Sequence, residues 1–423
     1  MATIPGDLSS GVRDAVMLQY GWSRLQCASK SPAMRFPSWL PTLLGFLTAV
    51  GPISTDMYLP AFPAIEAALG GRPGTAQVTL AMWFLGLAIG QITQGSFSDR
   101  FGRRWPLVIG TTLYTAASIG CALAPNLTTL SLMRFLAAIG GSASMVVPRA
   151  VVRDLADGHA AAQMMSQLIL VMGVAPILAP TLGGFVDTTL GWQAIFWLAA
   201  IYGGACALVV WRLMPETLPE SRRTRLGLVD QMLRYRAIIT ERGFISHAMI
   251  GGCVLFGVFA YLGGAPEVFI DRFHFSPAQF GMLFGTCAAA YIAMSQVNPR
   301  LMRRFGAAAV LRGAVWTYVL ATATLTALAF AEIGLWWLIA APILVCLGSM
   351  GFVTPGATVG ALTRHAAHAG SASALMGMMQ FCLGAVSGLL VGVFADGTAR
   401  PMACLMLLGA LAAVVADLCR PKR

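Results

Sequence analysis

Hydrophobic positions along the chain form long, nearly uninterrupted runs, without the polar alternation expected of strands or half-buried helices. The runs have about 20 residues or more, the length that a helix needs to cross the hydrocarbon core of a bilayer. Short polar or turn-forming stretches, such as 124–129, 187–192 and 396–401, separate them. The pattern predicts twelve membrane-spanning helices, at approximately 39–64, 77–97, 105–124, 130–152, 164–186, 193–213, 245–266, 279–299, 311–331, 335–361, 371–395 and 401–418.

Composition agrees with a chain whose solvent is lipid. Hydrophobic residues make up 57% of the 423 positions and charged residues only 11%, with a mean hydropathy of +0.74. A soluble domain has about 25% charged residues. The net charge of +11 does not indicate a nucleic-acid partner, because the basic residues are spread over many short loops without a supporting motif. The partner that the composition predicts is the bilayer.

Positive charge predicts the orientation of the helices. With the N-terminus inside, all but four of the 28 Lys and Arg residues lie in the tail or at the cytoplasmic ends and loops. The exceptions are Arg72, Arg272 and Arg400 in outer loops and Arg134 within the fourth span. By the positive-inside rule both termini are cytoplasmic. The nine cysteines lie mostly singly within spans, so we predict neither a disulfide framework nor a metal site.

A weak internal repeat divides the chain into two halves. Arg100-Phe101-Gly102 returns as Arg304-Phe305-Gly306, and GGFVD at 183–187 returns as VGVFAD at 391–396. Parallel repeats of six helices are related by an axis along the membrane normal in one class of transporters. The predicted segments are a disordered cytoplasmic tail at 1–37, which lacks the apolar core of a signal peptide, a six-helix bundle at 38–214, a cytoplasmic linker at 215–243 and a second six-helix bundle at 244–423.

The stretch GPISTDMYLP at 51–60 places Asp56 inside the first predicted span, with Pro52 and Pro60 nearby to bend it. An intramembrane carboxylate is a candidate for proton coupling. Arg134 lies at a similar depth in the fourth span, so we predict an ion pair between the two. A capping Asp56 and an Arg134 that reaches the interface are the alternatives. Glu267 is the next candidate for carrying the proton.

The loop after the second span reads GSFSDRFGRR (95–104). Ordinary cytoplasmic positive charge is one interpretation, but the spacing resembles the loop 2–3 signature of the major facilitator superfamily. The resemblance implies an all-α membrane protein of two six-helix bundles related by a pseudo-two-fold axis. It also implies a charge network at the cytoplasmic gate, in which Asp99 and Arg103 would take part. The candidate gate residues are Gly95, Asp99, Arg100, Gly102, Arg103 and Arg104.

The fifth span, MGVAPILAPTLGGFVD (172–187), resembles the antiporter motif of drug-exporting facilitators, with Ala179 where a glycine is usual. A generic kinked membrane helix is the alternative. Its prolines remove backbone hydrogen bonds and its glycines permit close packing. The fourth span resembles the R-x-x-Q-G-type motif of proton-driven facilitators, with Ala137 in the glutamine position. The motif residues of the fifth span are Gly173, Pro176, Pro180, Gly183 and Gly184.

Three further stretches, 54–65, 191–197 and 369–377, resemble the bicyclomycin/chloramphenicol-resistance (Bcr/CflA) branch of the drug:proton antiporters. A cleft lined by aromatic and methionine side chains would suit varied apolar ligands. Packing or lipid contact is the alternative role for each of these side chains. The candidates for the cleft are Tyr58, Tyr261, Glu267, Met376, Met379 and Gln380.

No nucleotide-driven or hydrolytic motif is present. A P-loop requires G-x-x-x-x-G-K, and the only lysines are Lys30 and Lys422; neither G-x-S-x-G nor H-E-x-x-H occurs. We therefore expect a monomeric transporter of the bacterial inner membrane that needs no cofactor and is not an enzyme. It would exchange protons for drugs or other amphipathic small molecules by alternating access. Export or import of a specific metabolite or amino acid is the alternative; a membrane enzyme or a channel fits the sequence less well.

Overall fold

The computed structural model describes residues 37, 39–156, 158–223, 228–332, 334–363, 365 and 369–421. The predicted N-terminal tail lies outside these residues except for Pro37. All regular secondary structure within the described residues is helical.

Within the described residues, the first half has eight α-helices, in keeping with its apolar runs. They are α1 Leu40–Thr48, α2 Val50–Thr55, α3 Phe62–Ala68, α4 Ala76–Phe101, α5 Arg104–Ala122, α6 Leu127–Leu155, α7 Gly158–Leu190 and α8 Trp192–Leu213. A short helix, α9 Leu228–Ile239, lies in the linker. The helices of the second half are α10 Arg242–Pro266, α11 Pro277–Phe305, α12 Ala307–Phe330, α13 Trp336–Leu362, α14 Ala369–Val393 and α15 Arg400–Leu418. A π-helical turn, Glu267–Arg272, continues α10.

Ten helices of the described chain are long and apolar enough to cross a membrane, compared with twelve predicted spans. The fifth helix, α5, is not among them, since its 19 residues include Arg104, three threonines and a serine. The first predicted span is also not one continuous helix. It is divided into α1, α2, a 3-10 turn at Leu59–Ala61 and α3. Prolines at 52, 60 and 63 explain the division, because each lacks the N–H that a continuous helix requires.

Side-chain caps explain where several helices begin. The Asn126 side chain accepts a hydrogen bond from the backbone N–H of Thr129 at 2.8 Å, at the start of α6. Ser276 and Gln279 form a reciprocal capping box at the start of α11. Such caps satisfy backbone donors that the first turn of a helix leaves unpaired.

The packing between the halves follows the sequence repeat. Between the halves α4 packs against α14, and α7 packs against α11. The repeat relates α4 to α11 and α7 to α14, so a two-fold axis exchanges these two contacts. Within each half, α6 packs against α4 and α5, and α10 packs against α14 and α15. The arrangement is therefore two bundles with a shared interface built from equivalent helices.

The two ends of this interface differ. We call the end where residues 214–241 join the halves the linker side, and the opposite end the far side. On the far side, glycines bring the helix backbones together. A Cβ at Gly74 would lie 2.5 Å from the Gly392 carbonyl oxygen, and one at Gly281 would lie 2.6 Å from the Thr181 backbone. The halves are therefore in direct backbone contact on the far side.

Candidate functional site

A cavity of about 240 Å³ lies between the two halves on the linker side. Helices α4, α6 and α7 of the first half line one wall, while α9, the end of α13 and the start of α14 line the other. Asp99, Arg149 and Arg153 place charge in the lining, and Tyr235 adds an aromatic ring. The cavity therefore offers both polar and apolar surface to a ligand.

The cavity ends towards the middle of the molecule at closely packed side chains. A Cβ at Gly377 on α14 would lie 3.1 Å from the Gln91 amide on α4. About two turns further along α4, the ring of Phe84 lies 4.1 Å from that of Phe259 on α10 and 6.2 Å from that of Phe381, which is one turn further along α14. This aromatic cluster was not predicted from the sequence, because a phenylalanine within an apolar run does not by itself indicate a contact between the halves.

All six predicted cleft residues lie outside the lining of this cavity. Tyr58 is buried within the first half, where its hydroxyl forms a hydrogen bond with Thr79. Met376 is buried in a packing cluster with Ile238 and Phe244, and Met379 packs against that cluster.

The other three candidates also contact protein groups away from this lining. Tyr261 is buried and stacks on Phe284 with ring centroids 5.7 Å apart. Gln380 lies against Gly251 of α10. Glu267 is buried on the far side and accepts a hydrogen bond from the Gly397 N–H at 2.8 Å. None of the six predicted cleft residues lines the 240 Å³ cavity.

Arg134 is almost completely buried, with 2% of its surface exposed. Its Nη1 donates a hydrogen bond to the Ser54 carbonyl oxygen at 2.7 Å. The guanidinium carbon lies 4.4 Å from the ring centre of Tyr58 and 4.6 Å from that of Trp83. Aromatic faces attract cations at such distances. Arg134 therefore interacts with a carbonyl and two π-systems.

The predicted Asp56–Arg134 ion pair is not formed. Among the described residues, Arg134 has no carboxylate within 4.0 Å. The geometry of α2 explains the difference. Residues two positions apart on a helix point about 200° away from each other, so Ser54 can face Arg134 while Asp56 turns away.

Asp56 faces the second half of the molecule. Only 8% of its surface is exposed, and its carboxylate is close enough to the Tyr261 hydroxyl on α10 for electrostatic interaction. The 3-10 turn Leu59–Ala61 that follows contacts both α10 and α11. The structure therefore places Asp56 as a buried acidic group at the interface between the halves. Its role in proton coupling stays a prediction.

Arg103 is the centre of a charge network at the linker side. Its Nε donates to Asp154 Oδ2 at 2.7 Å and its Nη1 donates to Asp99 Oδ1 at 2.6 Å. The Arg103 side chain is 7% exposed, while that of Asp99 is 52% exposed. Burial disfavours the charged guanidinium, but the bonds to Asp154 and Asp99 more than offset this and raise the pKa of Arg103. The role of Asp154, at the end of α6, as a partner of Arg103 was not predicted from the sequence.

Glu216, in the segment after α8, is a second residue that the sequence analysis missed. Its carboxylate accepts hydrogen bonds from the Arg103 N–H at 2.8 Å and the Leu218 N–H at 3.0 Å. Gly102 has φ +91°, and a Cβ there would overlap the Glu216 carboxylate. Only glycine adopts this conformation easily and also leaves room for the carboxylate. We call Asp99, Arg103, Asp154 and Glu216 the Arg103 network.

Within the described residues, the Arg103 network connects α4, α6 and the segment that follows α8. Arg104 donates to the Trp211 carbonyl oxygen, and the Arg100 guanidinium lies over the Phe101 ring. Gly95 lines the 240 Å³ cavity with open space where a side chain would be. The loop therefore joins α4, α6 and the end of α8, and presents Asp99 to the space between the halves.

The proline- and glycine-containing helix α7 makes the second contact between the halves. It contains Pro176 and Pro180 and remains one continuous helix. A Cβ at Gly184 would lie 2.5 Å from the Pro277 backbone at the start of α11, and one at Gly173 would lie 3.4 Å from Ile292.

The neighbouring glycine of the same motif serves a contact within the first half. A Cβ at Gly183 would overlap the Met57 carbonyl oxygen, beside Asp56. The close packing that the sequence predicted at Gly183 and Gly184 is therefore present, and it connects α7 to both the broken first span and the second half.

Comparisons with known proteins agree with this architecture. The chain is 35% identical over 374 residues to the uncharacterized MFS-type transporter YdgK of Bacillus subtilis, covering 88% of this chain and 92% of that protein. It is 29% identical to a bicyclomycin resistance protein homolog of Haemophilus influenzae, covering 85% and 90%, respectively. It is also 29% identical to a chloramphenicol resistance protein of Pseudomonas aeruginosa, covering 88% and 90%.

A solved D-xylose–proton symporter superposes with a TM-score of 0.69 at 17% identity, covering 88% of this chain and 95% of the symporter. That similarity concerns the fold. The model of one family, described as the Major Facilitator Superfamily, matches residues 44–389. With this match, the two packed bundles and the relatives above, the chain belongs to the Major Facilitator Superfamily.

Proposed function

We propose that this transporter exports drugs or other amphipathic small molecules in exchange for protons by alternating access. The observation that carries the proposal is the cavity between the halves on the linker side, combined with direct backbone contact between the halves on the far side. Alternating access requires that, in each end state, the cavity opens to only one side of the membrane. Relatives named for resistance to bicyclomycin and chloramphenicol favour drugs as the class of substrate.

The composition of the cavity supports an amphipathic substrate. Charged groups at Arg149 and Arg153 can orient a polar end, while Tyr235 offers an apolar face. Ligand sites in proteins commonly combine apolar walls with a few polar groups in this way. The aromatic cluster of Phe84, Phe259 and Phe381 lies beyond the cavity, where the substrate would next meet both halves.

Asp56 is our candidate for the proton-carrying group. A buried carboxylate within a membrane span is costly in free energy, so its presence there points to a function. Because Asp56 belongs to the first half and interacts electrostatically with Tyr261 of the second, rocking of the halves would change its surroundings. Such a change can couple proton binding to the exchange of conformations. Neither a cofactor nor ATP is needed for this cycle.

We further propose that the linker side faces the cytoplasm of a bacterium and that the protein acts as a monomer in the inner membrane. Most of the Lys and Arg residues belong to the linker side, including the loop at 100–104 and the segment 300–304. Positively charged loops remain on the cytoplasmic side during insertion. This orientation would open the cavity to substrates inside the cell.

Everted membrane vesicles test the proposed exchange. A preset pH gradient should be partly lost when chloramphenicol or bicyclomycin is added to vesicles that contain the protein. Asp56→Asn should abolish this loss, whereas Asp230→Asn, at an exposed carboxylate of the linker helix, should not. Transport that survives full collapse of the proton gradient but stops on ATP depletion would show that the antiport proposal is wrong.

A further inference from the structure

A larger cavity, of about 660 Å³, lies outside the interface between the halves. It is a groove between α11 and α12, with α13 behind it, and we call it the α11–α12 groove. Its lining is almost entirely apolar. The residues with hydroxyls are Thr317 and Ser349, and each donates within its own helix, to the Gly313 carbonyl at 2.9 Å and the Cys346 carbonyl at 2.8 Å. The groove is therefore suited to a hydrocarbon chain.

The groove has the length of one bilayer leaflet. Its lining on α11 extends from Phe305 at the linker side to Ala290. Fifteen residues of helix span ~22 Å, and half of a bilayer with its headgroup region is ~20–22 Å thick. Phe305 and Val345 of the lining are 57% and 47% exposed, so the groove opens on the outer surface of the bundle. A lipid tail from the linker-side leaflet can therefore reach it.

Three arginines lie at the linker-side end of the groove, on the last turns of α11: Arg300, Arg303 and Arg304. All three are exposed, and the Arg304 guanidinium lies 5.3 Å from the ring centre of groove-lining Phe305. None of the three forms an ion pair with a described carboxylate. This end of the groove therefore has positive charge available for an anionic partner.

The internal repeat also supports a positively charged end of the groove. In the first half, the last turn of α4 contains Asp99, which pairs with Arg103 just after the helix. The Arg-Phe-Gly repeat aligns Asp99 with Arg303. It also aligns Arg103 with Ala307. The second half thus has an additional cation where the first has a carboxylate, and its arginines face an apolar groove.

We propose that the α11–α12 groove binds an anionic phospholipid, with one acyl chain in the groove and the phosphate at Arg303 and Arg304. A basic cluster at the membrane surface beside an apolar groove matches both parts of such a lipid. A zwitterionic lipid fits less well, because its own amine offsets the phosphate charge. The site lies in the second half alone and is separate from the cavity between the halves.

Native mass spectrometry of the purified full chain in detergent tests this proposal, with phosphatidylglycerol and phosphatidylethanolamine of identical acyl chains as probes. Wild type should retain one phosphatidylglycerol more tightly than phosphatidylethanolamine. One arginine near an anionic lipid strengthens lipid binding by a factor of about five. The double variant Arg303→Gln, Arg304→Gln should therefore bind phosphatidylglycerol about 25-fold more weakly. Binding of phosphatidylethanolamine by this double variant should not change. Arg236→Gln, an exposed arginine of α9, is the matched control.

Gly313 provides an independent variant within the groove. A side chain there meets no heavy atom within 4 Å, so Gly313→Phe or the smaller Gly313→Leu should fill the groove without displacing protein. Either should lose the tightly held phosphatidylglycerol while the lipid-free protein unfolds at the wild-type temperature. The control is Gly204→Leu, at a helical glycine where a Cβ would lie 3.6 Å from Thr115, an ordinary van der Waals contact. This variant should keep the bound phosphatidylglycerol.

Two results would overturn the proposal. Equal retention of the two lipids by wild type and all variants would mean ordinary annular lipid only. Competition between phosphatidylglycerol and chloramphenicol for the groove would assign it to the drug instead. Neither result depends on proton-coupled export, because lipid binding is measured without transport.

Discussion

Arg134 is a buried cation whose neighbours are a carbonyl oxygen and aromatic rings. A hydrogen bond to a charged group contributes about 1.5–3 kcal/mol, and a desolvated cation–π contact about 2 kcal/mol. Burying an unpaired ion costs several kcal/mol. In addition, Nε and Nη2 of Arg134 have no hydrogen-bond partner among the described residues. Stability therefore does not explain the residue, which supports a role in transport.

Arg134→Met should separate stability from function. Methionine fills a similar volume without charge, so the unfolding temperature in detergent should stay the same or rise. Drug-dependent proton exchange in vesicles should be lost. Arg134→Lys keeps the charge but loses the planar group that contacts both rings, and should retain intermediate transport. A large fall in the unfolding temperature of Arg134→Met would contradict this interpretation and give Arg134 a structural role.

The members of the Arg103 network should contribute unequally to stability. Arg103→Ala leaves the mostly buried Asp154 without its main partner and should cost about 1–3 kcal/mol. Asp99→Asn changes an exposed partner and should cost under ~1 kcal/mol. Thermal unfolding in detergent compares them, with Glu220→Ala, at the exposed partner of Arg223, as the control. Equal losses from Arg103→Ala and Asp99→Asn would mean that burial does not set the hierarchy.

Asp99→Asn should also slow turnover while leaving the equilibrium binding of substrate largely intact. In the structure, Asp99 lies at the linker-side edge of the cavity and is held by Arg103, which fits a role at the gate. Transport rate in vesicles and drug binding to purified protein measure the two effects separately. A comparable loss of binding affinity would place Asp99 in the substrate site.

At the scale of the elements, prolines have different consequences in the first span and in α7. Asp56 donates its N–H to the Pro52 carbonyl at 2.7 Å, and the α-helix ends there. In α7, Pro176 and Pro180 lie within a helix that continues. The first span also has serine, threonine and aspartate beside its prolines, and these favour turns and helix ends. The break places Asp56 and Met57 against neighbouring helices.

Gly184 of α7 should control closure of the far side. Gly184→Ala places a Cβ 2.5 Å from the Pro277 backbone of the other half, which has no flexible side chain to move away. The far side should therefore open more often, seen as faster labelling of a cysteine introduced at Thr188. Gly204→Ala, where the Cβ meets only Thr115 at 3.6 Å, should leave labelling unchanged. Unchanged labelling of Gly184→Ala would mean that this contact does not hold the far side closed.

At the scale of the whole molecule, the contact between α4 and α14 is suited to a cross-link that holds the two halves together. A Cβ built on Gly388 lies 3.6 Å from the Cβ of Ala81, within the range that a disulfide requires. Oxidation of the Ala81→Cys, Gly388→Cys double variant should stop transport, and reduction should restore it. Each single variant under the same oxidation is the control. Full transport by the cross-linked protein would show that the halves do not separate on the far side.

The sequence alone determined the class of protein, most of the helices and the position of the charged loop at 95–104. Runs of about 20 apolar residues can satisfy their backbone groups in lipid only as helices, so composition and length suffice for that prediction. The spacing around Asp99 and Arg103 was equally local, since both residues lie within five positions.

Tertiary structure decided which side chains meet. Arg134 contacts Ser54 rather than Asp56, and Asp154 and Glu216 join Arg103 from distant segments. These partners depend on how each helix is rotated about its axis and how closely the bundles approach. A uniformly apolar span contains little information on rotation, because nearly every face of it is compatible with lipid or with packing. Contacts between helices, made possible by glycines, select the rotation, and with it the residues that face the transport path.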